Sequence, residues 1–202
     1  MKAKTLAVFL LLVTTLSQPV NAAPYGPGYY RGPSSDKAVS THPGAIVKDG
    51  IGKLQRFIES GRAQNREQAM AFMTTEIEPY FDFEYMTRWA AGPAWRRMSP
   101  QQRAAVQKKL KQAFMSTLAD KLVTYTNQEI RYFTPRGQGS NDVRVNAWIM
   151  QSNGIPTRLE FRFYRHGGDW KIFDVKAGGN SAVVHYRNRF REMFYPDRRT
   201  RY

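Results

Sequence analysis

The chain has 202 residues, room for one ordinary domain with a tail and too few for two full domains. Hydrophobic residues at 42% and aromatics at 13% can bury a core, which excludes wholesale disorder, while the lack of cysteine excludes disulfides, thiol catalysis, Cys-based metal sites and a lipoprotein anchor. The balance of 31 Lys and Arg against 16 Asp and Glu, a formal +15, favours anionic partners: nucleic acid, anionic lipid or lipopolysaccharide.

Residues 1–22 have the order of a secretory signal peptide. Lys2 and Lys4 form a positive start, Leu6 to Val13 an apolar run, and Val20-Asn21-Ala22 a small-residue cleavage site behind Pro19. The apolar run is shorter than the roughly 20 residues a bilayer span takes; the alternative is an uncleaved N-terminal anchor. Losing Lys2 and Lys4 from the 31 basic residues leaves 29 against 16 acidic ones. Export into a bacterial periplasm is expected, which turns the charge away from nucleic acid and toward membranes. Residues 23–43 are rich in Gly, Pro, Tyr and Ser without apolar period, and read as a flexible tail. Tyr25, Tyr29 and Tyr30 beside Arg31 would either rest on a membrane interface or belong to a solvated linker.

Helical spacing begins with Ile46, Val47, Ile51, Leu54 and Ile58 and stops at Gly61. Asn65 with Gln68 resembles a capping box for a second helix with the stripe Met70, Met73 and Ile77, bounded by Pro79. A third is expected from Asp82 to Gly92, burying Tyr85, Met86 and Trp89. The fourth has the clearest start, with Ser99 as N-cap, Pro100 at the first position and Gln102 closing a capping box. Its stripe is Val106, Leu110, Ala113 with Phe114, Thr117 with Leu118, Leu122 and Tyr125. The period then changes to two: Val143, Val145, Ala147 and Ile149 alternate with Asp142, Arg144, Asn146 and Trp148, and Leu159, Phe161 and Phe163 with Arg158, Glu160 and Arg162. The turn His166-Gly167-Gly168-Asp169 makes a hairpin with Trp170 to Lys176; Glu129 to Phe133 is a weaker strand. Gly178-Gly179 breaks the pattern, and Asn180 or Ser181 caps a last helix whose apolar side is Val183, Tyr186, Phe190 and Phe194. Helices, then an antiparallel sheet, then a helix is an α+β order.

No catalytic constellation is visible. His42, His166 and His185 lack metal-ligand spacing, and there is no Gly-x-Ser-x-Gly elbow, phosphate-cradling loop or dinucleotide fingerprint. No cofactor and no metal are expected. Asp174, inside the apolar strand Trp170-Lys171-Ile172-Phe173-Asp174-Val175, is either a general base or a structural carboxylate paired with Arg187 or Arg189 or accepting backbone hydrogen bonds. No second acid, base or nucleophile converges on it.

Two stretches carry a family resemblance. Phe81-Asp82-Phe83-Glu84-Tyr85-Met86-Thr87-Arg88-Trp89-Ala90-Ala91-Gly92-Pro93-Ala94-Trp95, continuing to Ser99 and Gln102, resembles the first motif of the Mla-type phospholipid carriers, also called the toluene-tolerance family. Trp170-Lys171-Ile172-Phe173-Asp174-Val175, with Gly179, Ser181, Val183 and Tyr186-Arg187-Asn188-Arg189-Phe190, resembles that family's ending. The likeness runs from about Gly44 to Phe194. The chain departs from the pattern at Gly178, where the family has glutamate, and at Asn180 and Ala182, where it has apolar residues.

The resemblance implies one lipid-binding domain over 44–195, followed by a basic tail over 196–202. N-terminal helices would pack on a curved, mainly antiparallel sheet with a C-terminal helix and enclose an apolar lipid pocket. It implies a periplasmic carrier, not an enzyme, that takes a glycerophospholipid by its acyl chains. The carrier would pass lipid between an outer-membrane lipoprotein–porin complex and an inner-membrane ABC transporter with MCE-domain subunits, preserving outer-membrane asymmetry, with transient membrane proximity. Inward faces nominate Leu118, Leu122, Tyr125, Val145, Ala147, Phe161, Phe163, Val175 and Val183 for the acyl chains; Arg144, Arg162 or Arg187 would either touch the phosphate or serve a solvated or structural role. Two rival classes remain: a basic adaptor binding lipopolysaccharide or a partner protein by its surface, and an exported enzyme using Asp174.

Overall fold

The computed structural model describes residues 42–122, 128–137 and 141–194, and side chains to residue 192. The expected leader, nearly all of the Tyr-rich stretch, Tyr125, the Phe194 side chain and residues 195–202 lie outside the described residues. Helix α1 (Pro43–Glu59) starts ahead of its apolar period because its cap is polar: the His42 ring accepts from the Gly44 amide at 3.3 Å, and Pro43 takes the first position. It buries Ile46, Val47, Ile51 and Phe57. A Cβ on Gly44 would lie 2.9 Å from Pro135, so glycine is required where the helix start meets the loop after β1 (Ile130–Tyr132).

Asn65 caps α2 (Arg66–Phe72) by accepting from the Gln68 amide at 3.0 Å. The single helix expected to run to Pro79 instead becomes a π-turn (Met73–Ile77) and a 3-10 turn (Glu78–Tyr80). Met73 and Ile77 are nevertheless both buried. The chain leaves extended at Phe81, which bridges Ile172 in parallel, and the Asp82 amide donates to the Ile172 carbonyl at 2.9 Å. Asp82 then caps α3 (Phe83–Ala91) by accepting from the Tyr85 amide at 2.8 Å. The buried stripe of α3 is Phe83, Met86, Thr87 and Ala90, so the expectation for Trp89 is corrected. Trp89 is 42% exposed and Tyr85 half-buried, both on a flank where their rings meet Phe173.

Both bonds of the expected capping box open α4 (Pro100–Leu122): the Gln102 amide donates to Ser99 Oγ at 3.2 Å, and the Ser99 amide to Gln102 Oε1 at 2.8 Å. Its buried stripe is Val106, Leu110, Phe114, Met115, Ala119 and Leu122. Ala113 and Thr117, expected in that stripe, are exposed; the seam of α4 passes through Met115 and Ala119 instead.

The remaining strands are β2 (Arg136–Gly137), β3 (Asp142–Ile149), β4 (Thr157–His166), β5 (Asp169–Ala177) and β6 (Asn180–Ser181). They form one open antiparallel sheet ordered β1-β3-β4-β5-β6, with β2 also paired to β3. Gly178 and Gly179, at φ +57° and +90°, make the turn after β5 in a backbone region that other residues rarely adopt. Ser181 rather than Asn180 caps α5 (Ala182–Phe194), its Oγ accepting from the Val184 amide at 3.1 Å. The fold is α+β.

A β-bulge interrupts the β4–β5 ladder: Arg162 faces Asp174 and Phe163 faces Ile172, leaving Phe173 as the extra residue. Ile172, Phe173 and Asp174 are consequently all buried in succession, which strict alternation forbids. Phe173 reaches Tyr85, Trp89 and Tyr164, so α3 packs on the outer side of β5 while α1 packs on the inner face of β3.

Candidate functional site

The apolar interior divides in two. One cluster lies among the helices, built from Phe57, Met73, Met86, Leu110, Phe114 and their neighbours together with Val183, Tyr186 and Phe190 of α5. The other lies between α1 and the inner sheet face, built from Ile46, Val47, Ile51, Val145, Ala147, Phe163 and Ile172. Most domains of this size have one contiguous core. Here the half-buried side chains of Tyr80, Phe81 and Val175 pack against both clusters. They mark a seam between the helical layer and the sheet, with α4 held by α2 and α3.

Most of the nominated apolar residues are distributed about this seam. Val145, Ala147 and Phe163 belong to the sheet-side cluster, and Phe161 packs against it half-buried. Leu122 and Val183 belong to the helical cluster, with Leu118 half-buried against it. Val175 touches both. Tyr125 lies outside the described residues.

Phe81 also lines a surface cleft of about 440 Å³ with Phe83, Lys111, Lys171 and His166. This cleft therefore adjoins the seam, and its lining mixes Lys111 and Lys171 with Glu78, Asp82 and Glu84. Lys171 Nζ donates to the Pro79 carbonyl at 2.9 Å, and Lys111 pairs with Glu78 at 2.8 Å. One wall is a polar knot: the Asp82 carboxylate accepts from the Tyr164 hydroxyl and meets His166 Nδ1 at 2.7 Å. Burial works against the Asp82 charge, but the bonds from Tyr164, the Tyr85 amide and His166 outweigh it and hold the carboxyl below its usual range. Burial, followed by the bond to Asp82, pushes the Tyr164 phenol well above its usual range. A second cleft, of about 520 Å³, lies between α1 and α2, with Lys53, Arg56, Arg62 and Glu76 in its lining.

The three nominated arginines are not brought together. Arg187 donates to the Trp89 carbonyl at 2.8 Å, tying α5 to α3. Arg144 and Arg162 lie opposite each other on the sheet face turned away from Val145 and Phe161. Asp174, 1% exposed, accepts from Ser181 Oγ at 2.8 and 2.9 Å and from the Val183 amide at 3.1 Å. Its cationic neighbour is Arg162 at 3.8 Å, so the expected pairing with Arg187 or Arg189 is replaced by one across the sheet. The bulge at Phe173 causes this by aligning Asp174 with Arg162.

Sequence reasoning missed Tyr80, Phe81, Lys111 and Lys171. Phe81 begins the first family motif, but its position between two cores depends on the parallel bridge to Ile172, which local periodicity does not encode.

Comparison with known proteins agrees with this architecture. A solved phospholipid-binding protein from Ralstonia solanacearum, in complex with a phospholipid, is 26% identical to the chain, covers 73% of it and 84% of its own length, and superposes with a TM-score of 0.66. No curated protein sequence matches the chain. The model of the MlaC protein family matches residues 49–196, from within α1 to just beyond α5, and the chain therefore belongs to the MlaC family.

Proposed function

We propose that this protein binds a glycerophospholipid by its acyl chains in the seam between the helical layer and the sheet, and carries it through the periplasm. The observation that carries this reading is the divided core, with Tyr80, Phe81 and Val175 touching both halves. The phospholipid complex of the Ralstonia solanacearum protein supports it. Each methylene moved from water into the seam contributes about 0.8 kcal/mol, so two acyl chains supply ample driving force. The phosphate stays at the mouth, because an unpaired buried charge would cost several kcal/mol. The cleft beside Phe81 is the mouth we assign, because it adjoins the seam and opens to solvent.

In this reading the carrier passes lipid between an outer-membrane lipoprotein–porin complex and an inner-membrane ABC transporter with MCE-domain subunits. The signal-peptide pattern and the excess of basic residues support export and membrane proximity. No covalent step is assigned. Both oxygens of Asp174 are engaged by Ser181 and Val183, which supports a structural carboxylate rather than a general base.

The test is native mass spectrometry of mature protein purified without detergent, followed by solvent extraction. A stoichiometric phospholipid adduct is expected. Protein that stays bare after incubation with phospholipid vesicles overturns the carrier reading and favours the surface adaptor.

A further inference from the structure

The outer face of the sheet carries a line of like charge. Arg136 of β2, Arg144 of β3 and Arg162 of β4 stand directly opposite one another in register. Side chains so placed have Cβ atoms about 5 Å apart, and like charges there repel. The acids nearby compensate only in part. Asp174 continues the row in β5, 3.8 Å from Arg162, but its oxygens already accept from Ser181 and Val183. Asp142 reaches Arg162 at 4.0 Å, beyond hydrogen-bond length. Among the described residues neither Arg136 nor Arg144 has an acidic side chain within ion-pair distance. Nε of Arg144 and Nε of Arg162 are shielded from water and lack an acceptor; Oδ1 of Asp142 on the same face is likewise shielded without a donor, and Glu160 is taken by Lys176 at 2.7 Å. Three opposed guanidinium groups repel one another, and an anion held by their outward Nη atoms relieves that repulsion.

We propose that Arg136, Arg144 and Arg162 form a phosphate-binding site on the outer face of the sheet, separate from the seam. Planar guanidinium groups at one level offer forked donors to tetrahedral oxyanions, which matches phosphate better than a single carboxylate. The row is separate because successive strand residues point to opposite faces: Val145 and Phe161 face the seam side, Arg144 and Arg162 the other. A lipid whose chains fill the seam does not present its phosphate to this row. The ligand is the phosphate of a second molecule, either free phosphate or the head group of a lipid in a membrane surface.

The experiment titrates the mature protein with sodium phosphate at constant ionic strength, sodium chloride making up the balance, and reads the thermal midpoint and the arginine Nε–Hε resonances. It is indifferent to acyl-chain occupancy, so it stands or falls apart from the carrier reading. A saturable response is expected, weakened about tenfold, or about 1.4 kcal/mol, by Arg144→Gln. Arg136→Gln, at an exposed position, moves it the same way should Arg144→Gln fail to fold. Binding to phosphatidylglycerol vesicles, with phosphatidylcholine vesicles as reference, separates the sources. Parallel loss of vesicle and phosphate binding assigns the site to head groups, and loss of phosphate binding alone assigns it to free phosphate. A phosphate response that is unsaturable, or the same in the wild type and the folded variants, overturns the site.

Discussion

Val175→Trp tests the seam most directly, because Val175 is half-buried and packs against both apolar clusters. Its cross-strand neighbour is Phe161, itself half-buried, so a larger ring extends into the seam rather than into the filled contact between α1 and β3. The indole displaces the volume of roughly three methylenes of acyl chain, about 2.4 kcal/mol of transfer free energy at 0.8 kcal/mol each. That lowers phospholipid affinity on the order of 50-fold. The same substitution at Val145, which is 1% exposed, overpacks the α1–sheet contact and costs about 1–3 kcal/mol of stability, confusing occupancy with unfolding. The assay pairs adduct occupancy by native mass spectrometry with a denaturant midpoint for each variant. Phe161→Trp, closer in volume, gives an intermediate loss. Full phospholipid occupancy in a folded Val175→Trp protein would refute the seam as the acyl site.

Three further outcomes follow from individual contacts. Asp174→Asn keeps an acceptor for the Val183 amide but removes the charge facing Arg162 and Ser181, and is expected to cost about 1–3 kcal/mol in urea unfolding; full stability would make the carboxylate dispensable to the fold. Because the folded Asp82 carboxyl sits below its unfolded value, its contribution to stability is complete above about pH 4 and is lost as pH falls through the folded value; acid unfolding of Asp82→Asn should therefore be less steep in that window. Ser99→Ala removes one bond of the α4 capping box and should lower stability by about 1 kcal/mol, read as a thermal midpoint shift, with no change in lipid occupancy.

What was legible in the sequence was local chemistry. Ser99, Pro100 and Gln102 announce the start of α4 because a cap is set by three neighbouring residues, and both bonds are made. Alternation gave the correct inner face for Val145, Ala147 and Phe163 because one side of the sheet is covered by α1. It failed at Ile172-Phe173-Asp174, where the bulge depends on pairing with β4. Trp89 was misread for a similar reason: helical spacing places Tyr85 and Trp89 on one flank, but the sheet's outer aromatic, Phe173, rather than the helical core, receives them.

The bulge also connects the two candidate sites. Without Phe173 as an extra residue, Arg162 and Asp174 would not stand opposite each other, and the basic row would lack its buried acidic end. The same residue draws Tyr85 and Trp89 of α3 onto the outer side of β5, while Phe81, two residues before α3, bridges the β5 edge at Ile172. The chain between α2 and α3 thus turns around that edge, leaving α1 on the inner face and α4 packed on α2 and α3. Helix α1 belongs to both clusters, through Phe57 on the helical side and Ile46, Val47 and Ile51 on the sheet side, so it ties the helical layer to the sheet.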